Sequence, residues 1–176
     1  PDESIKEVPK GVTGLDVAES IGPGLAKSAI AVNIDGIQKD LSDPIDADCA
    51  LSVITVDSDE GLEIMRHTVA AQVLALAIKN IYPDAKLAIG PTIENGFYYD
   101  FLTKSAISSE DLPKIEKEMK KIVMEKSEVR KSFHDEKNAT AKFKKISQDY
   151  KVKIIEESDQ TNNFQIYENE DVNFID

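Results

Sequence analysis

Short β-branched runs and one amphipathic helix make up the first 60 residues. Apolar and polar residues alternate over residues 4–8 as in an edge strand, and two β-branched runs predict strands at residues 30–34 and 51–56. Asp35-Gly36 follows the first of these two runs and predicts a two-residue hairpin, because both central positions of a type I′ turn need positive φ. Thr13 and Asp16 form a T-x-x-D pattern, which predicts a capped helix that ends at Gly22. This part is predicted to be a small mixed sheet with one helix packed across it.

A second pattern begins after an acidic joint at residues 57–61. Apolar residues recur every three or four positions over residues 62–81, which predicts a long helix that ends before Pro83. Asn95-Gly96 is a second hairpin signal. Further helices are predicted at residues 109–123 and 138–146, and strands at 150–155, 164–167 and 172–175. The pattern predicts an α+β chain with two domains, 1–58 and 59–176, the second with helices against an antiparallel sheet.

Charge is distributed unevenly along an acidic chain. The formal net charge is −12, which argues against nucleic-acid binding by the chain as a whole. The stretch from Lys114 to Lys153 nevertheless carries a net charge of +6, and the remainder carries −18. This stretch could contact phosphate groups, or it could be a solvated helix face with i,i+4 pairs such as Glu116–Lys120.

Composition narrows the class of protein further. With 41% hydrophobic and 31% charged residues, the chain has enough apolar material for a folded core. No run approaches the roughly 18 apolar residues of a membrane-spanning helix, and the single cysteine, Cys49, fits a reducing compartment. We therefore expect a cytoplasmic protein without a membrane partner. The chain lacks an initiator Met and ends within a predicted strand, so we also expect a fragment of a longer protein.

Five segments of the chain have sequences that are characteristic of one protein family. They are PDESIKEVPKGVTGLDVAESIGPGLAKSAIAVNIDG at 1–36, EGLEIMRH at 60–67, YPDAKLAIGPTIENGFYYDF at 82–101, DYKVKII at 149–155 and NFID at 173–176. With them the chain resembles the N-terminal region of bacterial-type threonyl-tRNA synthetases over nearly its whole length. The block IGPTIENGFYYDF is the most specific part of this resemblance, because no general folding rule demands that string.

The resemblance implies a ubiquitin-like β-grasp module, called TGS, over residues 1–58, and a C-terminally truncated editing domain over residues 59–176. In this family the editing domain hydrolyses serine wrongly attached to threonine tRNA. The aminoacylation core and the anticodon-binding domain lie downstream, beyond this chain. The implied function is therefore post-transfer editing of seryl-tRNA(Thr) without threonine ligation.

The family's editing site uses a His-x-x-x-His pair on a helix and a Cys-x-x-x-His pair that is expected after Asp176. His67 matches the first histidine, but Ala71 stands four residues later. Aligned backwards from Pro83, the place of the second histidine falls on Gln72, which indicates a one-residue insertion. Such an insertion rotates every later residue of the helix by about 100° unless a π-bulge absorbs it. His67 alone cannot form a chelate, so no metal ligand and no required cofactor is predicted, and the sequence leaves open whether the editing site binds a metal. His67 is either part of a cleft or a helix histidine with a structural or solvent role.

Three further positions match residues that the family uses around its editing cleft. The resemblance implies that Tyr99 places its hydroxyl on the seryl group or the terminal adenosine. It implies that Lys151 holds the tRNA 3′ end or orients the attacking water, and that Asp176 accepts a hydrogen bond from the substrate. From the residues alone, Tyr99 could be strand packing, Lys151 a strand-edge charge and Asp176 a last residue without a role.

Three functions stay open at this point. The first is hydrolytic editing, with the acceptor arm of tRNA(Thr) held by the basic stretch Lys114–Lys153. The second is a non-catalytic tRNA-binding appendage whose editing site is degenerate, which the missing second histidine favours. The third is a protein-docking module in which the edge of the β-grasp sheet receives a partner strand.

Overall fold

The computed structural model describes residues 4–169 and 174–176. The chain divides into two compact units, Pro1–Met65 and Arg66–Asp176. Both units combine helices with antiparallel strand pairs, so the predicted α+β class is confirmed. We call them unit 1 and unit 2.

Unit 1 is a three-stranded antiparallel sheet with helices and a separate strand pair. Its elements are β1 (Val12–Thr13), α1 (Gly14–Ile21), α2 (Pro23–Ser28), β2 (Ala29–Ile34), β3 (Ile37–Asp40), β4 (Pro44–Ile45) and β5 (Leu51–Thr55). The strand β2 lies between β3 and β5, and β1 pairs with β4. The first helix approaches β2 closely, because a Cβ on Gly14 would lie 2.6 Å from Cγ1 of the fully buried Val32.

The local signals of unit 1 are confirmed where short-range geometry decides them. Asp35 and Gly36 both have positive φ, 51° and 84°, and they join β2 to β3. The Thr13 backbone N–H donates to Asp16 Oδ2 at 2.8 Å, and the Asp16 N–H donates to Thr13 Oγ1 at 3.2 Å. The strand predicted at residues 4–8 is wrong within the described part. Ile5 is 95% exposed there, and alternation alone does not supply the partner that a strand requires.

The part of the chain that follows β5 begins with one long helix in three parts. These are α3 (Asp59–Thr68), a π-helical segment (Val69–Leu74) and α4 (Ala75–Ile81). By length and composition alone, residues Asp59–Ile81 are long and apolar enough to cross a membrane, which departs from the sequence expectation. The buried core helix of a soluble protein passes the same test, and Leu76 and Ile78 of α4 are buried against the rest of unit 2.

The remaining elements of unit 2 are short strand pairs, helices and a three-stranded sheet. They are β6 (Lys86–Leu87), β7 (Thr92–Ile93), β8 (Gly96–Phe97), β9 (Phe101–Leu102), α5 (Leu112–Glu125), β10 (Arg130–His134), α6 (Glu136–Lys145), α7 (Asp149–Glu156), β11 (Phe164–Asn169) and β12 (Phe174–Ile175). The sheet has the order β10-β11-β12, and β6 pairs with β9 and β7 with β8, all antiparallel.

Two apolar clusters hold unit 2 together. The first joins the long helix, β6 and α5, with Leu76, Ile78, Leu87, Tyr99, Ile115 and Phe174 among its buried members. The second joins α6, α7 and β11, through Ala139, Phe143, Val152, Ile155 and Ile166. Phe174 of β12 belongs to the first cluster, while its sheet partner β11 belongs to the second.

Two predictions for unit 2 need correction. Residues 150–155 form part of the helix α7 and not a strand, because Val152 and Ile155, three residues apart, are the buried positions. The strand β10, paired with β11, forms where the sequence pattern predicts no element. The turn of the β7–β8 hairpin is Glu94-Asn95, so Gly96 lies in β8 opposite Ile93. Of the strand predicted at 172–175, Phe174–Ile175 is confirmed, and residues 172 and 173 lie outside the described residues.

Candidate functional site

Three of the four residues singled out from the sequence meet at one carboxylate. Lys151 Nζ lies 2.5 Å from Asp176 Oδ1, and the Tyr99 hydroxyl donates to the same oxygen at 3.4 Å. Lys151 Nζ also lies 5.9 Å from the centre of the Tyr99 ring. The side chains of Lys151 and Asp176 are only 16% and 14% exposed, and Tyr99 is buried. Residues far apart in the sequence thus form one compact polar cluster, which we call the Tyr–Lys–Asp cluster.

Tyr99 is positioned by the strand pair β6–β9 and by a glycine. The ladder continues beyond the two strands, because the Ala88 N–H donates to Asp100 O at 3.0 Å and the Asp100 N–H donates to Ile89 O at 2.8 Å. A Cβ on Gly90 would lie 2.1 Å from Cδ2 of the Tyr99 ring. The ring therefore lies directly against the backbone of Gly90. Gly90 is not among the residues that the sequence singles out, although the Gly-Pro dipeptide at residues 90–91 marks a special backbone position.

Asp176 is positioned by backbone pairing with β11. Its N–H donates to Tyr167 O at 3.0 Å, and its carbonyl accepts from the Tyr167 N–H at 2.9 Å. Phe174, two residues earlier, is buried in the first apolar cluster. The strand pairing and this anchor direct the Asp176 side chain toward Lys151 in the first turn of α7.

The electrostatics of the cluster define what each group can do. Burial, and then the neighbouring charge and hydrogen bond of Asp176, raise the pKa of the Tyr99 phenol. The phenol therefore stays protonated at physiological pH and acts as a hydrogen-bond donor. The Asp176 carboxylate accepts from both neighbours, and the Lys151 ammonium neutralises its charge. The cluster thus offers a cation, a neutral donor and an acceptor within one small volume, which suits the binding of a polar substrate.

His67 is carried by the long helix and is outside the contacts that define this cluster. It is exposed in the last turn of α3. Among the residues that the structure describes, it makes no hydrogen bond or ion pair with Tyr99, Lys151 or Asp176. The sequence places these four residues in one candidate site, and the contacts of the structure bring together three of them.

The π-helical segment lies where the resemblance predicts a one-residue insertion after His67. The Ala75 N–H donates to Ala70 O, five residues back, where an α-helix would use the residue four back. Gln72 lies in this segment, and its side-chain Oε1 is buried and has no hydrogen-bond partner among the described residues. A turn of this kind absorbs one extra residue without changing the register of the helix on either side.

Metal-ligating side chains are sparse in the described part of the chain. No group of three or more His, Cys, Asp and Glu residues is arranged there to hold a metal ion. Cys49 is half-buried in unit 1. The Nε2 atom of His134 is 2.9 Å from the Ser132 hydroxyl on the same strand, which gives that imidazole a structural partner.

The basic stretch Lys114–Lys153 is partly neutralised by its own neighbours. Several of its lysines form ion pairs with carboxylates: Lys120 with Glu116, Lys121 with Glu118 and Glu125, Lys144 with Glu156, and Lys153 with Glu157. Lys117, Lys126, Lys137 and Lys145 are exposed and make no ion pair with a described residue. Some lysines of the stretch thus form ion pairs of the kind that stabilise a solvated helix face. Others face solvent without an ion pair to a described residue and are available for contact with phosphate groups.

Comparison with known proteins identifies the first domain. Residues 1–55 match the TGS domain. This match covers almost all of the strands and helices of unit 1 and agrees with the TGS module expected from the sequence.

The most informative relatives are bacterial ligases. The chain is 46% identical to threonine–tRNA ligase 1 of Bacillus subtilis over 168 residues, which is 96% of this chain and 26% of the relative. It is 43% identical to threonine–tRNA ligase of Acetivibrio thermocellus over 175 residues, covering 99% of this chain and 27% of the relative. Francisella tularensis subsp. novicida has a threonine–tRNA ligase that is 46% identical over 156 residues, or 89% of this chain and 24% of the relative.

The chain therefore carries a TGS domain and is homologous to the N-terminal region of bacterial threonyl-tRNA synthetases. It spans about a quarter of the length of these relatives, with 26% of the Bacillus subtilis ligase covered.

Proposed function

We propose that unit 2 hydrolyses the ester bond of threonine tRNA that has been charged with serine. The observation that carries this proposal is the convergence of Tyr99 and Lys151 on one carboxylate oxygen of Asp176. The homology to threonine–tRNA ligases supports the choice of an aminoacyl-tRNA as the substrate.

The hydrolysis is a water attack on the ester carbonyl. The water oxygen bonds to the carbonyl carbon, the bond from that carbon to the ribose oxygen breaks, and a proton from the water ends on the ribose oxygen. In our proposal Asp176 accepts a hydrogen bond from the seryl ammonium or hydroxyl group. The Lys151 ammonium stabilises negative charge that develops on the carbonyl oxygen or orients the water. Tyr99 donates its phenol proton in a hydrogen bond to the substrate, since its raised pKa keeps that proton in place.

Selectivity for serine rests on the extra methyl group of threonine. A pocket that already fits serine tightly excludes threonine by steric clash, which rejects more strongly than a missing contact does. The Tyr99 ring is held against the backbone of Gly90 and cannot retreat on that side. We therefore propose that this ring forms a rigid wall of the serine pocket.

The tRNA partner is proposed to bind through those exposed lysines of the basic stretch that form no ion pair with a described carboxylate. Lys117 on α5 and Lys137 and Lys145 on α6 are exposed and unpaired with any described carboxylate. Such cations release counterions when they contact phosphate, so binding should weaken steeply with salt. The acceptor arm is the part of the tRNA that must lie near the Tyr–Lys–Asp cluster, because the seryl ester is at its end.

The test is deacylation of seryl-tRNA(Thr) by the 176-residue chain, with threonyl-tRNA(Thr) as the substrate control. We expect selective loss of serine, and we expect Lys151→Met or Asp176→Asn to lower kcat by about 100-fold, as is typical when one charged group at a reacting centre is lost. The matched control is Lys153→Met on the same helix. Its side chain is 68% exposed and pairs with Glu157, so the rate should stay within about twofold.

Equal loss of serine and threonine, or no hydrolysis by the wild-type chain, would contradict the proposal. The second candidate function, a tRNA-binding appendage with a degenerate site, is favoured by Ala71 and Gln72 standing where the family has its second histidine. Salt-sensitive tRNA binding without hydrolysis would support this appendage. Absence of both activities would favour a docking module.

A further inference from the structure

The side chain of Gln148 forms hydrogen bonds with the edge of β6 that lies opposite β9. Gln148 is 2% exposed. Its Oε1 accepts from the Leu87 N–H at 2.9 Å, and its Nε2 donates to Ala85 O at 3.4 Å. On the other edge of β6, Leu87 is paired with Phe101 of β9. The amide therefore takes the place of a neighbouring strand, with one donor and one acceptor facing the backbone.

Lys86 strengthens the same attachment. Its ammonium donates to Ser147 O and lies 3.0 Å from Asp149 Oδ2. Ser147 has a φ of 56°, an uncommon conformation for a residue with a side chain. This turn directs Gln148 from the end of α6 back onto β6. The start of α7 is thus tied to β6 by contacts at three successive residues, 147, 148 and 149.

The strand β6 is therefore the common support for two parts of the Tyr–Lys–Asp cluster. One edge carries the ladder that leads to Tyr99, and the other edge holds the residue that immediately precedes α7. Lys151 lies three residues after Gln148, within the first turn of α7. Val152 and Ile155 hold one face of α7 in the second apolar cluster, and Gln148 fixes the point at which the helix begins.

We propose that Gln148 is a positioning residue that sets the place of the Lys151 ammonium through its two hydrogen bonds to β6. The role of that ammonium in hydrolysis rests on the function proposed above, whereas its placement does not. Both hydrogen bonds of the Gln148 side chain go to backbone atoms, and Gln148 acts through Lys151.

The test measures the chemical reactivity of the Lys151 amine without any tRNA. The chain is treated with a limiting amount of an amine-acetylating reagent, and peptide mass spectrometry gives acetylation at Lys151 relative to Lys153. Lys153 is the internal standard, since it is on the same helix and 68% exposed. Gln148→Met keeps the length of the side chain and removes both hydrogen bonds. We expect it to raise the Lys151-to-Lys153 ratio at least about fivefold, because each lost hydrogen bond raises the open population several-fold.

Val152→Ala is the matched control on the same helix. It removes buried methyl groups from the second apolar cluster and leaves the contacts to β6 intact. We expect the ratio to change by less than about twofold. Equal ratios in Gln148→Met and the wild-type chain, or equal increases in Gln148→Met and Val152→Ala, would overturn the positioning role. If Gln148→Met does not fold, Gln148→Glu keeps an acceptor for the Leu87 N–H and loses the donor to Ala85 O, and an unchanged ratio in that variant would also overturn the positioning role.

Kinetics then separate this inference from the proposed function. Where the wild-type chain hydrolyses the seryl ester, Gln148→Met should lower kcat at least about fivefold and leave KM within about twofold, because the phosphate contacts are untouched. An unchanged kcat would overturn the positioning role in catalysis. A raised labelling ratio in a chain that hydrolyses nothing would support the placement by Gln148 and contradict the proposed function alone.

Discussion

Gly90 lies so close to the Tyr99 ring that an added methyl group cannot fit. Its Cβ would be 2.1 Å from Cδ2 and 2.6 Å from Cε2, whereas ordinary contacts begin at 3.4 Å. The ring must therefore move by more than about 1 Å, and overpacking of this kind costs about 1–3 kcal/mol. We expect Gly90→Ala to lower the free energy of unfolding of unit 2 by about 2 kcal/mol. The displaced ring also moves its hydroxyl relative to Asp176, so the proposed hydrolysis should slow.

Tyrosine fluorescence provides an assay specific to this unit. The chain has five tyrosines, all after residue 66, and no tryptophan. Urea unfolding followed by tyrosine emission therefore reports unit 2 alone. Gly96→Ala is the matched control within the same unit, since nothing lies within 4 Å of a Cβ at that position. We expect that substitution to change the free energy of unfolding by less than about 0.5 kcal/mol.

A double substitution decides whether the ring causes the cost. In a Tyr99→Ala background the clashing atoms are gone, so Gly90→Ala should cost less than about 0.5 kcal/mol, a coupling of roughly 1.5 kcal/mol between the two sites. Sucrose keeps the doubly substituted chain folded for this measurement. An equal loss in the free energy of unfolding from Gly90→Ala in both backgrounds would refute a steric clash with the Tyr99 ring.

Three further predictions concern pH, metal and salt. The Thr13 backbone N–H and hydroxyl lower the pKa of Asp16. This carboxylate therefore contributes stability above the unfolded-state pKa of about 3.9, and the contribution is lost as pH falls through the folded-state pKa. Asp16→Asn should reduce the loss of unit 1 stability on acidification, measured by far-ultraviolet circular dichroism. A chelator should leave the hydrolysis rate unchanged, because Lys151 and Asp176 supply the charges; a loss that zinc restores would contradict this. Lys117→Gln and Lys137→Gln should each reduce the slope of log affinity for tRNA against log salt by about one if each contacts one phosphate, and unchanged slopes would place the RNA elsewhere.

The sequence predicts those elements that short-range chemistry decides. The Thr13–Asp16 cap and the Asp35-Gly36 turn need only neighbouring residues, and both are confirmed. The strand β10 illustrates the opposite case. Its sequence, Arg130–His134, is mostly polar, and Phe133 is 55% exposed. It becomes a strand through pairing with β11, some 30 residues later, which no local pattern reveals.

The candidate site also combines features that the sequence reveals with features that only tertiary packing decides. Tyr99, Lys151 and Asp176 are chosen by resemblance, and their chemical character is visible in the sequence. The alternation of Tyr150, Val152 and Ile154 predicts a strand where the structure has the helix that carries Lys151. Ile154 is 45% exposed, whereas Val152 and Ile155 are buried, and only tertiary packing distinguishes these two periods. Gln148 has no signal in the sequence, since its role depends on a strand about 60 residues away.

The π-helical segment has a consequence for how this long helix can vary between related chains. A change of one residue within an uninterrupted helix would turn every later side chain by about 100° and remove Leu76 and Ile78 from the core. The wide turn that closes with the hydrogen bond from Ala75 to Ala70 confines that change to about one turn. The helical segments before and after this turn therefore each keep their own register. One extra residue that is absorbed at the turn leaves the face that α4 buries unchanged.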